Sequence, residues 1–261
     1  MFLPNIIKQH LPQQAYDQDQ IGRSQAQVLL YEDRVLKIEK DGNCSANEHA
    51  MMRYLQGKLE VPRIIAADKA GDMRYLLMSR IPGRYLCAED ILDDQEELAM
   101  LVAQALRRMW QVDITGCPTD RSLNVKFREI EEGLLLGTIT KEYARQEETY
   151  GPGGFSSPAA LFDWLVKKRP DEQLALSHGD FCLPNVFCDN QGITGYIDLG
   201  CAGMADPWVD IEQVLWSMWA NTTGQFGGKV RPFDRRLLFD ALNMELDEEK
   251  LRYYSLLSEL C

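Results

Sequence analysis

The chain has 261 residues, a formal net charge of −12, and 45% hydrophobic and 26% charged residues. This length accommodates one large domain or two lobes, and the composition is that of a soluble globular protein. The negative charge argues against a broad nucleic-acid-binding surface, and no apolar run reaches the roughly 18 residues that cross a bilayer. We therefore expect neither nucleic acid nor membrane as a partner. An acidic surface suits a cationic small-molecule substrate, although solubility alone explains the charge equally well.

The cysteines and the N-terminus predict a cytoplasmic location. The seven cysteines are odd in number and contain no C-x-x-C motif, which is typical of reduced thiols. The N-terminal sequence has no charged segment before its short apolar part and no cleavage site, so we expect no signal peptide. The three histidines show no spacing typical of a zinc site.

The first 80 residues are predicted to be rich in strands. Residues 21–39 predict two strands around a Glu-Asp turn, residues 44–59 predict a helix, and residues 61–81 predict two more strands. The sequence "IPGR" at 81–84 then interrupts the pattern like a linker. This predicts a small N-terminal lobe, residues 1–80, with a β-sheet and one main helix.

From about residue 87 the apolar period becomes helical. A short hairpin is predicted within the stretch 176–200, and a Gly/Pro-rich loop covers 148–158. The result is an α+β chain whose second lobe, residues 81–261, is larger and mostly helical. Its predicted helices lie within 88–113, 125–136, 158–170, 206–221, 231–244 and 247–261.

Three oxygen-bearing side chains, Asp180, Asn185 and Asp198, lie where the predicted strands of the hairpin region end. Asp and Asn are also ordinary turn residues. However, Asp180 and Asn185 are five residues apart across one loop, like the Asp and Asn of the kinase pattern H-R-D-x-x-x-x-N. Asp198 follows thirteen residues later, just before Leu-Gly, at the position of the D-F-G aspartate. The ordered set predicts a phosphoryl-transfer site, with Asn185 and Asp198 as Mg²⁺ ligands and Asp180 beside the attacking hydroxyl.

The small lobe should supply a cation for the nucleotide phosphates, and Lys37 in "RVLKIEK" is the candidate. Glu48 on the following helix shares a face with Met52 and Leu55, so it is expected to point inward and to need a cationic partner. A Lys37–Glu48 pair therefore resembles the kinase lysine–glutamate ion pair. The alternative is that Glu48 closes a capping box with Ser45. We favour the ion pair because of the downstream motif.

A glycine-rich phosphate loop is not intact. The sequence "DQIGRSQAQ" has one glycine, Gly22, although backbone amides near Ser24 could still meet phosphates. The sequence "GPGGF" at 151–155 is not followed by Lys-Ser/Thr, so it is not a Walker A motif.

The motif "LSHGDFCLPNVF…GYIDLGCAGMADPWVDI" resembles the aminoglycoside phosphotransferase family, and most closely its 3′-phosphotransferase branch. The resemblance covers nearly the whole chain and includes "LKIEK", "YLLMSRIPG" and the ending "LRYYSLLSEL". It implies a two-lobed, protein-kinase-like fold. It also implies Mg²⁺-dependent transfer of the γ-phosphate of ATP or GTP to an antibiotic hydroxyl.

Matching the motifs residue by residue implies a complete set of kinase parts. Asp180 matches the catalytic aspartate, while Asn185 and Asp198 match the metal ligands. The nucleotide-binding residues implied are Ser24 in the phosphate loop, the pair Lys37 and Glu48, and Met78, Ser79 and Ile81 in the hinge against the base.

The departures from the family concern the base and the acceptor. Val35 stands where some members stack a tyrosine on adenine, and Cys201 stands where an arginine commonly follows "DLG". The chain ends in Glu259-Leu260-Cys261 rather than in a carboxylate followed by an aromatic residue, and "WANTTG" replaces an acidic segment. Besides Asp180, the candidates for binding acceptor ammonium groups are Glu147, Glu148 and Glu259.

Three functions are compatible with these residues. The favoured one is an aminoglycoside 3′-phosphotransferase that confers resistance, acting as a monomer or weak dimer. The alternative is a kinase of another small hydroxylated antibiotic or metabolite with the same fold. A non-catalytic binder is disfavoured, because a binder has no need of Lys37, Glu48, Asp180, Asn185 and Asp198 together.

Overall fold

The computed structural model describes residues 2–12, 16–18, 26–144 and 146–260. The described chain contains a five-stranded antiparallel sheet near its N-terminus, followed by a mainly helical part with two smaller sheets. This is the α+β organisation predicted. No helix within the described ranges combines the length and apolar character needed to cross a membrane.

The N-terminal sheet has the strand order β1-β2-β3-β5-β4. Along β3, residues alternate between two buried faces, as expected for a strand with period two. Leu36 and Ile38 join a small core with Ile7 of the first helix, whereas Lys37 on the opposite face lines a cavity. The five strands are β1 (Asp17–Gln18), β2 (Gln27–Leu30), β3 (Arg34–Lys40), β4 (Ile64–Ala70) and β5 (Met73–Ser79).

The main helix of this part, α2, spans Asn43–Leu55 and follows α1 at Asn5–His10. The alternative considered for Glu48, a capping box with Ser45, is wrong, because Ser45 is not the N-cap of this helix. Gly42 occupies the N-cap, and the Ser45 hydroxyl accepts a 2.9 Å hydrogen bond from the Gly42 N–H. Glu48 is therefore one turn inside the helix, where it is buried with Met52 as predicted.

The helical part forms around one large core that includes the apolar stripe of α4. Leu98, Val102, Leu106 and Met109 of that helix are all fully buried, which confirms the predicted inward face. The helices are α3 (Glu89–Leu92), α4 (Gln95–Trp110), α5 (Leu123–Leu136), α6 (Pro158–Lys167), α7 (Trp208–Thr222), α8 (Arg236–Leu242) and α9 (Glu248–Ser258).

Two small sheets flank the loops that contain Asp180, Asn185 and Asp198. One has the order β6-β8-β9 and the other pairs β7 with β10. The predicted linker at 81–84 is partly a strand, since Arg84 pairs with Cys188. The short strand β10 was not predicted. The five strands are β6 (Arg84–Tyr85), β7 (Ala175–Ser177), β8 (Val186–Asp189), β9 (Gly192–Tyr196) and β10 (Gly203–Ala205).

We propose that the boundary between the two lobes lies between residues 80 and 81. The last strand of the N-terminal sheet, β5, ends at Ser79, and the next strand, β6, belongs to a sheet of the helical part.

Candidate active site

The loop that carries Asp180 follows β7 and is fixed by Asp210 in the first turn of α7. The Asp210 carboxylate accepts hydrogen bonds from Ser177 Oγ (2.9 Å), His178 N–H (3.1 Å) and Gly179 N–H (3.0 Å). Burial raises the pKa of Asp210 to about 6, against the opposing effect of His178 and of these hydrogen bonds. The sequence "DPWVD" belongs to the family motif, but nothing in the sequence indicates this anchoring function of its second aspartate.

A second side chain of α7 holds the other side of the same loop. Gln213 Oε1 accepts from Phe181 N–H at 2.9 Å, and its Nε2 donates to the Gly179 carbonyl at 2.7 Å. The residues on both sides of Asp180 are therefore fixed by one helix, so the Asp180 carboxylate has a defined position.

Asn185 lies next to Asp180 in the structure. Its Nδ2 donates to the Asp180 main-chain carbonyl at 2.9 Å and to Asp180 Oδ2 at 3.3 Å. Cys182 Sγ donates to the other carboxylate oxygen, Oδ1, at 3.3 Å. Since Nδ2 faces Asp180, the amide oxygen of Asn185 is turned away from it.

The hairpin β8–β9 brings Asn185 close to the segment that carries Asp198. Val186 and Tyr196 are paired across the hairpin, and the Ile197 N–H donates to the Asn185 carbonyl at 3.0 Å. Residues just before one strand and just after its antiparallel partner must lie side by side. This explains how two residues thirteen positions apart reach one site.

Asp198 has an unusual backbone conformation. Its φ of 62° lies in the left-handed region, which non-glycine residues rarely adopt. Such conformations concentrate at functional sites, where surrounding contacts maintain them. Here Asn47 of α2 supplies part of that support, because its Nδ2 donates to the carbonyls of Gly200 (2.9 Å) and Ala202 (2.8 Å).

The structure contains the predicted Lys37–Glu48 pair and adds a third member. Lys37 Nζ lies 2.8 Å from Glu48 Oε2 and 2.7 Å from Asp198 Oδ1. Burial alone would lower the pKa of Lys37, but the carboxylates of Glu48 and Asp198 outweigh it and hold that pKa above its ordinary value. Lys37 therefore stays charged. Burial also raises the pKa of Glu48, with Lys37 opposing the shift.

A cavity of about 160 Å³ lies above this ion pair, between the N-terminal sheet and the helical part. Every predicted nucleotide-binding residue within the described ranges lines it, whereas Ser24 lies outside those ranges. Apolar side chains from both parts form its walls, as a planar base would require. The lining includes Lys37, Glu48, Met78, Ser79, Ile81, Asn185 and Asp198, with Val28, Leu30, Val35, Phe187 and Ile197 among the apolar residues.

A second cavity, of about 320 Å³, lies on the other side and includes Asp180 and Cys201 in its lining. The structure does not bring the predicted acceptor-binding glutamates into it. Glu148 is exposed in a different loop, and the side chain of Glu147 lies outside the described part. Glu259 is buried and does not itself line the cavity, and it lies near enough to Tyr150 to add to the burial that raises the pKa of that phenol. Charged residues of both signs that the sequence did not suggest line this cavity instead: Arg121, Lys126, Glu172, Asp206 and Glu212.

The pair Asn185 and Asp198 fits a magnesium ion. Both side chains line the first cavity and offer oxygen atoms, which Mg²⁺ prefers. The amide oxygen of Asn185 is turned away from Asp180, and Lys37 occupies one Asp198 oxygen, leaving the other. No group of three or more His, Cys, Asp or Glu side chains suited to a metal occurs in the described part of the chain. Two protein ligands nevertheless suffice for Mg²⁺ when phosphate and water complete the shell.

Comparison with known proteins agrees with this geometry. The phosphotransferase enzyme family matches residues 17–254. An aminoglycoside 3′-phosphotransferase of Enterococcus faecalis is 34% identical over 215 residues, covering 82% of this chain and 77% of that protein. The crystal structure of a type VIII aminoglycoside-3′-phosphotransferase superposes with a TM-score of 0.76 at 25% identity, covering 95% and 94% of the two chains.

A third similarity concerns the fold alone. An aminoglycoside phosphotransferase of Streptomyces rimosus, solved with ADP and streptomycin, has a TM-score of 0.72 at 19% identity and covers 98% of this chain and 96% of its own. The predicted two-lobed, protein-kinase-like fold is confirmed by these structural neighbours.

Proposed function

Since the chain belongs to the phosphotransferase enzyme family, we propose that it transfers the γ-phosphate of ATP or GTP to the 3′-hydroxyl of an aminoglycoside antibiotic, with Mg²⁺, and so confers resistance. Membership of this family makes the chain a kinase that acts on an alcohol group. The nucleoside triphosphate, the metal, the acceptor and the position of transfer are the parts that we propose.

One observation carries this proposal most directly. Lys37 and Asp198 are 161 positions apart in the sequence, yet their charged atoms lie 2.7 Å apart at the wall of one cavity. Asn185, from the loop that carries Asp180, lines the same cavity. A cation, two metal-binding oxygens and a carboxylate beside the acceptor are the parts that phosphoryl transfer requires.

On the nucleotide side, the residues neutralise charge. Lys37, fixed by Glu48, offers an ammonium to the phosphates. Apolar side chains of the cavity wall, including Val35 and Met78, pack against the base. Mg²⁺ on Asn185 and Asp198 would neutralise the negative charge of the β- and γ-phosphates. Asp198 can meet Lys37 and a metal together because its two oxygens are distinct acceptors.

On the acceptor side, Asp180 orients the attacking hydroxyl and accepts its proton. The carboxylate lines the second cavity while Asn185, its hydrogen-bond partner, lines the first. Asp180 therefore occupies the boundary that the phosphoryl group must cross. The loop geometry imposed by Asp210 and Gln213 makes this mainly catalysis by positioning.

An aminoglycoside is the acceptor best supported by the relatives, because the Enterococcus faecalis protein is 34% identical and is an aminoglycoside 3′-phosphotransferase. The alternative, a kinase of another hydroxylated antibiotic or metabolite, is favoured by one feature of the cavity. Arg121 and Lys126 line it beside its carboxylates, whereas Glu148 and Glu259 do not. Basic side chains would not be expected in a pocket built for a polycation, because they repel ammonium groups.

A coupled phosphotransfer assay tests the proposal. We expect turnover with ATP or GTP that is lost with EDTA and restored by Mg²⁺, and that requires the 3′-hydroxyl when matched 3′-hydroxy and 3′-deoxy aminoglycosides are compared. Equal rates for the matched pair would contradict the position of transfer. Absence of turnover with every aminoglycoside, together with turnover of another hydroxylated compound, would favour the alternative kinase.

A further inference from the structure

The face of α7 that lines the cavity beside Asp180, referred to below as the acceptor cavity, continues beyond it. Val209, Glu212 and Gln213 line the cavity and share one helix face, since they are three and four positions apart. Trp216 is the next residue on this face, four positions after Glu212 and seven after Val209. Because one helical turn rises about 5.4 Å, Trp216 lies about one turn beyond the cavity wall, on the same side of the helix.

Trp216 is exposed although its helix packs against the large core. The exposed fraction of this residue is 38%, whereas Ala220, four positions further along the same face, is fully buried. The exposed part of the face is therefore confined to the position that adjoins the acceptor cavity.

A second exposed aromatic ring, that of Phe226, packs against this indole. The two ring centroids lie 5.8 Å apart with their planes at 65°, which is an edge-to-face arrangement. Phe226 is itself 40% exposed, so the two rings form one aromatic surface open to solvent. Single exposed apolar side chains are ordinary, but a packed pair of exposed rings beside a ligand cavity indicates a binding surface.

The loop after α7 holds Phe226 in place before any ligand binds. The Arg231 N–H donates to the Thr222 carbonyl at 2.7 Å, so the loop closes on the end of the helix. Within the loop, the Gly227 N–H donates to the Gly224 carbonyl at 3.0 Å, and both glycines have a φ of 82°. Glycine adopts this conformation without strain, which permits the tight turn that contains Phe226.

The charges near the two rings favour a cationic ligand. Helix α7 contains two acidic residues and no basic one. The cations that follow Phe226 in the sequence, Lys229 and Arg231, are paired with Asp93 at 2.8 Å and 2.7 Å. The basic residues of the acceptor cavity come from α5 and the segment before it, not from α7. An ammonium group is attracted to the face of an aromatic ring, and most strongly to that of an indole.

We propose that Trp216 and Phe226, named here the aromatic platform, bind an amino-sugar ring of the acceptor that extends out of the acceptor cavity. The sugar ring packs on the indole, and its ammonium group interacts with the π-system. The inference rests on the proposed phosphotransfer to an aminoglycoside and deepens it. A cavity of about 320 Å³ is small for a ligand site, so part of a three-ring aminoglycoside lies outside it. Trp216 therefore determines specificity, by favouring acceptors that carry a further ring.

The platform is tested first by binding, without turnover. Kanamycin B and neamine, which is the same molecule without its third sugar, are titrated by calorimetry into the protein saturated with Mg²⁺ and a non-hydrolysable ATP analogue. Trp216→Leu keeps an apolar side chain but removes the aromatic face. It should weaken kanamycin B binding about fivefold and neamine binding less than about twofold, whereas Trp216→Phe should keep most of the affinity.

The matched control is Trp219→Leu, which removes an indole of the same 38% exposure about two turns beyond Glu212. It should bind kanamycin B like the wild type. An unchanged kanamycin B affinity in Trp216→Leu, or an equal loss in Trp219→Leu, would overturn the proposal. A loss for neamine as large as that for kanamycin B would also overturn it, because it would indicate a general distortion of the cavity.

Steady-state kinetics with the same two compounds separate this proposal from the proposed function. Trp216→Leu should raise the KM of kanamycin B about fivefold and leave kcat unchanged, since the platform does not touch the reacting atoms. If kanamycin B binds as expected but neither compound is phosphorylated, the proposed function fails and the platform stands. If both compounds are phosphorylated with the same constants by Trp216→Leu and the wild type, the platform fails and the proposed function stands. Absence of binding of both compounds to the wild type would contradict both.

Discussion

The cavity of about 160 Å³ (the nucleotide cavity) and the cavity of about 320 Å³ (the acceptor cavity) meet at the hydrogen bond between Asn185 and Asp180, but they are built in different ways. In the nucleotide cavity, the charged and proposed metal-binding side chains lie at motif spacings on β3, on α2 and at the ends of the β8–β9 hairpin. The acceptor cavity gathers residues from α2, α5, α7, α9, β7, β10 and the loops between them. The difference indicates that the chemistry of transfer is specified by a compact set of motifs, whereas the acceptor is specified by how distant elements pack.

The largest effect is expected at the boundary between the two cavities. Asp180→Asn keeps the shape of the side chain but removes the proton acceptor, so kcat should fall by about 10²–10⁴-fold. Nucleotide affinity should change little, because Asp180 does not line the nucleotide cavity. Steady-state kinetics and nucleotide titration measure both quantities. Asp240→Asn, at an exposed position of α8, is the matched control. A variant with near-normal kcat would show that Asp180 is not the catalytic carboxylate.

A change on the nucleotide side should instead weaken the binding of the nucleotide. Asp198→Asn removes the charge that meets Lys37 at 2.7 Å and one proposed metal ligand. The Kd of the nucleotide in Mg²⁺ should rise about ten- to hundredfold, since a charged hydrogen bond contributes about 1.5–3 kcal/mol. Titration with and without Mg²⁺ provides the measurement. Affinity that is unchanged in Mg²⁺ would remove Asp198 from the metal site.

Asp210, which anchors the loop that carries Asp180, should make the stability of the protein depend on pH. Because burial raises the pKa of Asp210 to about 6, its protonated form is favoured by folding. The stability that it contributes is therefore fully present below its ordinary pKa near 4 and is lost as pH rises through 6. The free energy of unfolding of the wild type minus that of Asp210→Asn should fall by about 3 kcal/mol between pH 4 and pH 7.

Urea unfolding of both proteins across that range tests this prediction. Asp210→Asn should also lower kcat, because an amide nitrogen cannot accept the His178 N–H. A difference in stability that stays constant with pH would show that Asp210 keeps an ordinary pKa.

The smallest effect is expected at Cys201 in the acceptor cavity. Burial, with Cys44 and Asp180 adding to it, raises the pKa of Cys201 to about 11, so its thiol is protonated at neutral pH. Iodoacetamide at pH 7.5 should label the exposed Cys44 well before Cys201, as mass spectrometry can measure. Cys201→Ser should change kcat/KM by less than about threefold, because a neutral thiol makes no charged contact. Rapid labelling of Cys201 would mean that the thiol is activated.

The sequence predicted most of the nucleotide side because local periodicity determines it. Lys37 and Glu48 could be paired from the strand alternation and from the helix face shared with Met52. The capping box failed because Gly42 takes the N-cap, and a glycine in an extended conformation gives no clear helix-start signal. The anchoring function of Asp210 was missed because three backbone and side-chain donors converge on it only in the folded loop.

The acceptor side was predicted poorly for a physical reason. Glu259 was expected to bind the acceptor, but its side chain is buried at the end of α9 and does not line the acceptor cavity. Arg121 reaches that cavity only because its segment pairs with β10, a three-residue strand that no periodicity indicates. Contacts of this kind depend on tertiary packing, which a single sequence does not encode in its spacing.

The central claim, that a phosphoryl group crosses from the nucleotide cavity to the acceptor cavity beside Asp180, is tested most directly by following the phosphate itself. ATP labelled in its γ-phosphate is incubated with Mg²⁺, an aminoglycoside and either the wild type or Asp180→Asn, and the labelled product is mapped by NMR. The account predicts label on one sugar hydroxyl, the 3′-hydroxyl, with the wild type only. Label released solely as inorganic phosphate, or transferred equally by Asp180→Asn, would contradict it.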